Sequence, residues 1–154
     1  MEKIHWVKAI LNGLLVWFLG LLLVVLPGLI LGTMRSFELV DAGGDPAVVQ
    51  DQVAEEVMRF YQDNRWVTIG LQLLAGVIVF WRARAVARGT GSFTMHNALI
   101  VGAVPTLINL VLGTVTGPSV STLLNVVIYM GAAALAAYLL RRKMAPPARR
   151  AISD

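Results

Sequence analysis

Between Lys8 and Arg35 the chain carries no charged side chain: after Ala9 and Ile10 it runs LNGLLVWFLGLLLVVLPGLILGTM over residues 11–34. At about 1.5 Å of rise per helical residue this stretch exceeds a hydrocarbon core of about 30 Å, so it is expected to cross a bilayer with some tilt. A secretory signal is the competing reading of Lys3 and Lys8 ahead of an apolar run. Its apolar part would be only about 7–15 residues long, with a polar cleavage region behind it, and neither feature is present. The whole chain agrees with a membrane setting. Of its 154 residues 57% are hydrophobic and 14% charged, too few to clothe a water-soluble domain, where charge runs near about 25%.

Three further apolar segments follow. The first span is set at 9–34 and the second at 66–82, where VTIGLQLLAGVIVFW lies between Trp66 and Trp81, with Arg65 and Arg82 reaching for water at its two ends. The third span, 93–115, and the fourth, 120–140, are separated by TGPS at 116–119, whose Gly117 and Pro118 suit a tight reversal. Pro105 sits inside the third span and leaves the carbonyl of Val101 without its helical donor. These segments predict an all-α integral membrane protein with four transmembrane helices in one membrane domain covering 1–154.

The connection 35–65 differs in kind. DAGGDP at 41–46 reads as a turn, Asp45 can cap a helix, and Pro46 occupies the first helical position, where a missing N–H costs least. Val49, Val53, Val57 and Phe60 then recur at helical spacing among acidic and amide residues, predicting an amphipathic helix over 46–64. Its apolar side is expected to dock on the bundle or the membrane. Net charge is −4 over this connection, +3 over residues 82–92, where Arg82 ends the second span and Arg84 and Arg88 lie in the loop 83–92, and +4 over the tail 141–154, while Lys3 and Lys8 against Glu2 leave the N-terminus at +1. With four spans the three basic segments share one side. The positive-inside rule makes that side cytoplasmic, places both termini there in a multi-pass cell-membrane protein, and leaves the amphipathic helix extracytoplasmic.

Within the spans the polar groups are uncharged. If the last two spans reverse about Gly117, residues whose numbers add to about 234 stand level, which pairs Asn109 with Asn125; Gln72 lies at a similar depth, about 10 Å in from the outer interface. Gln72, Thr106, Asn109 and Asn125 thus form a candidate polar contact or permeation layer. Small residues at Gly28, Gly32, Gly102, Gly113, Gly117, Ala132 and Ala136 permit close helix approach. Small multidrug exporters are similar in size and span number alone. The acidic residue they carry in the first span has no match here, where the polar residue is Asn12.

Conventional chemistry finds no foothold. With no cysteine, disulfides and zinc–thiolate sites are excluded. His5 and His96 have no acidic cluster near them in sequence to complete a metal site, and GTGS at 89–92 lacks the lysine and the preceding strand of a phosphate-binding loop. No cofactor is expected. The basic segments carry no interleaved aromatic platform, so membrane lipid rather than nucleic acid is the expected partner, together with a second copy or a larger membrane protein. Two function classes emerge: a non-enzymatic accessory or assembly subunit of a membrane complex, which the small-residue faces favour, and a permease or channel component for a small solute, which the polar layer favours.

Overall fold

The computed structural model describes residues 5–88, 90–116 and 120–144, so the turn expected at 116–119, with Gly117, lies largely outside the described residues. The described chain is all-α: α1 Trp6–Asp41, α2 Pro46–Asp63, α3 Arg65–Ala87, α4 Thr94–Thr116 and α5 Val120–Met144, with a 3-10 turn at Gly91–Phe93 ahead of α4. Four of the five helices are long and apolar enough to cross a membrane; α2 is the exception. The chain is therefore a small multi-pass α-helical membrane protein. Its contacts divide into two compact units, one formed by residues 17–75 and the other by the chain before and after them.

Residues 17–75 form a helical hairpin followed by the start of α3. Helix α1 ends in a Schellman motif: Gly44 N–H donates to the Leu39 carbonyl at 3.0 Å and Gly43 N–H to the Val40 carbonyl at 2.9 Å. Gly43 takes φ +87°, which a side chain would strain. The Asp45 carbonyl accepts from Val48 and Val49, opening α2 behind Pro46. Helix α2 then returns antiparallel along α1. Val49 and Val53 are buried, Val57 is half-buried, and a Cβ placed on Gly32 would sit 3.4 Å from Val53, one on Gly28 3.6 Å from Val57. The two glycines of Gly28xxxGly32 thus make the trough in which α2 lies. Arg35 links the helices outside that seam, 2.6 Å from Glu38 and 3.4 Å from Glu56.

Contact with α2 continues down α1 to Val24, whose carbonyl accepts from the Tyr61 hydroxyl at 3.0 Å. Pro27 lies three residues on, inside the helix, where its missing N–H leaves the neighbouring Leu23 carbonyl without its helical donor. Hydropathy sets the first span at 9–34, but the polar helix α2 runs beside residues 24–41. Asn64 alone separates α2 from α3; its side chain and its backbone N–H both donate to the Phe60 carbonyl, each at 2.9 Å.

In the other unit four helix ends converge. The starts of α1 and α4 lie together, because the His5 N–H donates to Asn97 Oδ1 at 2.8 Å across 92 residues of sequence. A Cβ on Gly13 would come within 2.6 Å of Val104 Cβ, so α1 and α4 run parallel from that end. Helices α4 and α5 are antiparallel: a Cβ on Gly102 would meet Ala133 Cβ and the Tyr129 carbonyl at 2.8 Å, and one on Gly113 would lie 3.4 Å from Thr122. Residues 76–87 of α3 pack on α5 through Gly76, where a Cβ would lie 2.6 Å from Ile128. Fully buried Val16, Val79, Val86, Val101 and Pro105 fill the space between these approaches.

Candidate functional site

Two arrangements could carry function, one in each compact unit. The first is the polar level of α4 and α5. Gly102 and Ala133, like Gly113 and Thr122, have numbers that add to 235, and in this register Asn109 and Asn125 stand level. Asn109 hydrogen-bonds the side chain of Tyr129, one turn along α5 from Asn125, and Tyr129 is 6% exposed. Asn125 Oδ1 is buried without a hydrogen-bond partner. Thr106, also buried, donates to the Gly102 carbonyl at 2.8 Å. That bond is helix-internal and neutral, so Thr106 is satisfied without a partner helix.

Gln72 belongs to the other unit. It is buried, and its Oε1 has no partner. Gln72, Thr106, Asn109 and Asn125 can each donate and accept hydrogen bonds but cannot shuttle a proton near neutral pH. Among the described residues no cluster of three or more His, Cys, Asp or Glu side chains is placed to hold a metal ion.

Of the expected small packing residues, Gly28 and Gly32 receive α2, Gly102 and Gly113 receive α5, and Ala136 is fully buried. Ala132 is half-buried, and Ala133 and Ala137 lie on the buried face with Ala136. Gly13, Gly76 and Asn97 are equally tight positions that sequence patterns did not single out. Each meets a helix far away in sequence, where spacing along one helix carries no signal.

The second arrangement is the flank of the α1–α2 hairpin. An open groove of about 570 Å³ follows the seam, with Val25, Leu29, Thr33 and Phe37 on one wall and Gln50, Ala54 and Val57 on the other. Large apolar side chains continue onto the outer face of α1: Leu29 is 59% exposed, Ile30 60%, Met34 59% and Phe37 67%. The opposite face of α2 carries the exposed Glu55–Arg59 pair at 3.4 Å and the exposed Asp51.

No protein-family model, no curated protein and no solved structure matches this chain. The functional reading therefore rests on these two arrangements alone.

Proposed function

We propose that this protein is a non-enzymatic accessory or assembly subunit of a membrane complex, and that the α1–α2 hairpin is its assembly surface. The observation that carries the reading is the mismatch between the two sides of that hairpin. Asp51, Glu55 and Arg59 on α2 are too costly to place in hydrocarbon, so the hairpin stands in water or headgroups. The transmembrane part of α1 then shortens to about Trp6–Val24, a rise of about 27 Å, which still matches a bilayer core. Beyond Val24 the outer face of α1 stays apolar and has no lipid to meet. A patch of this kind marks a protein interface.

Charge distribution gives the orientation. Residues 35–65 carry a net −4, whereas Lys8, Arg82, Arg84, Arg88, Arg141, Arg142 and Lys143 gather at the converging ends of the other unit. The basic side is cytoplasmic, both termini lie there, and α2 is extracytoplasmic in the cell membrane. Single cysteines replacing Ala42, Ser92 and Lys143 report this directly. Labelling of Ala42→Cys by an impermeant reagent in intact cells, with the other two shielded, is expected, and labelling of all three from one side would reject it.

Photo-crosslinkers at Leu29 and Phe37 in native membranes test the assembly role. The expected product is an adduct with one distinct membrane polypeptide, matched by a heteromeric mass in mild detergent. The second reading, a permease or channel component, is favoured by the unpartnered oxygens of Gln72 and Asn125. Selective solute flux by the purified chain in liposomes, with only lipid adducts at Leu29 and Phe37, would replace the first reading with the second.

A further inference from the structure

The basic end of the unit formed by α4, α5 and the adjoining parts of α1 and α3 is chemically one-sided. Its described residues include seven lysines and arginines and no aspartate or glutamate. Two of the guanidinium groups, Arg82 and Arg84, have a buried Nε without a hydrogen-bond partner. A donor cut off from water and left without an acceptor is unfavourable, so an oxygen-rich anion that reached it would be retained.

Helix geometry gives one of these groups a defined setting. On α3, Val77, Trp81, Arg84 and Arg88 follow one another at spacings of four, three and four, so they form one stripe. Val77 is 52% and Trp81 59% exposed, and Arg88 is exposed at its end. On α5, Leu135, Tyr138 and Arg142 form a second stripe at spacings of three and four, all exposed. The end of α3 leads through Thr90 to the start of α4, where Arg141 of α5 donates to the Ser92 carbonyl, so α3 and α5 run in the same direction. Counted from their contact at Gly76 and Ile128 at about 100° per residue, both stripes fall on the same flank. Each passes from apolar to basic toward the same end.

We propose that this flank of α3 and α5 is a binding site for an anionic phospholipid. Arg84, Arg88 and Arg142 take the phosphodiester, and the acyl chains run along Trp81 and Leu135 toward the bilayer centre. Arginine suits this task because its fork donates to two phosphate oxygens at once. The amphipathic rings of Trp81 and Tyr138 sit at the level where chains meet headgroups. The apolar continuation of both stripes selects a lipid over a small free anion, which would need only the basic end. Arg82 faces the other flank of α3 and lies outside the site.

The full chain in nanodiscs of equal phosphatidylcholine and phosphatidylglycerol, extracted into mild detergent and weighed by native mass spectrometry, reads the proposal as the ratio of the two lipids retained. The wild type should retain phosphatidylglycerol selectively. The pair Arg84→Gln and Arg88→Gln should lower its retention by about tenfold or more, the order expected for two arginines at an anionic surface. Trp81→Ala should shorten retention of both lipids. Lys8→Gln with Arg82→Gln removes the same charge from elsewhere at this end and should leave selectivity in place, with unchanged helicity confirming that each variant is folded. An equal loss in that control would show diffuse charge attraction and overturn the site. Full displacement of the lipid by millimolar inorganic phosphate would overturn the lipid assignment in favour of a small-anion site.

Discussion

The hydroxyl of Tyr61 donates to the carbonyl of Val24 at 3.0 Å, joining the C-terminal end of α2 to the middle of the most apolar segment in the chain. The acceptor lies within one turn of Pro27, and the donor is a side chain that needs a polar partner when its ring packs on a helix. The bond therefore sets how far the acidic helix travels along α1. Tyr61→Phe should keep the ring and lose the bond, at a cost of about 0.5–1.5 kcal/mol. Hydrogen exchange should accelerate over residues 46–63 while α5 is unaffected; unchanged exchange in α2 would mean the bond does not hold the hairpin.

The glycines of the two units should respond differently to the same substitution. A Cβ on Gly28 would lie 3.5 Å from the Tyr61 oxygen, ordinary contact, so Gly28→Ala should be tolerated. A Cβ on Gly102 would lie 2.8 Å from the Tyr129 carbonyl, and backbone cannot step aside. Gly102→Ala should push α5 from α4 and cost about 1–3 kcal/mol, seen as a lower unfolding midpoint in detergent. Equal midpoints for the two variants would contradict this ordering.

Asn97 is fully buried and serves as a cap in trans, its Oδ1 accepting from His5 N–H ahead of α1 while its Nδ2 donates to the Phe93 carbonyl at 3.2 Å. Asn97→Ala should free the first turn of α1 and cost about 0.5–2 kcal/mol. Limited proteolysis should then cut near Trp6 faster than in the wild type. If the N-terminal cleavage rate does not change, the cap contributes nothing to order there.

The level of Asn109 and Asn125 admits two couplings, one to Tyr129 and one across to Asn125. Because the hydrogen bond of Asn109 goes to Tyr129, a double-mutant cycle of Asn109→Leu with Tyr129→Phe should show coupling of about 0.6–2 kcal/mol. The cycle with Asn125→Leu should show less unless a solute or water bridges the two amides. Larger coupling to Asn125 than to Tyr129 would restore the direct amide contact and strengthen the permeation reading.

Hydropathy along the chain was sufficient for the number and type of the long helices, since the cost of exposing an apolar run to water depends on the run itself. Local chemistry placed the start of α2 too, because Asp45 and Pro46 act on the turn they occupy. The level of α4 against α5 was legible because a short reversal leaves little freedom in register. The return of α2 along α1 as far as Val24 was not legible: residues 24–34 are as apolar as those before them, and only the tertiary structure gives that segment a polar neighbour. The close approaches at Gly13 and Gly76 and the cap from Asn97 to His5 likewise belong to tertiary structure. Each depends on which face of one helix meets a helix distant in sequence, and that angle is set by packing the whole set of side chains rather than by any one segment.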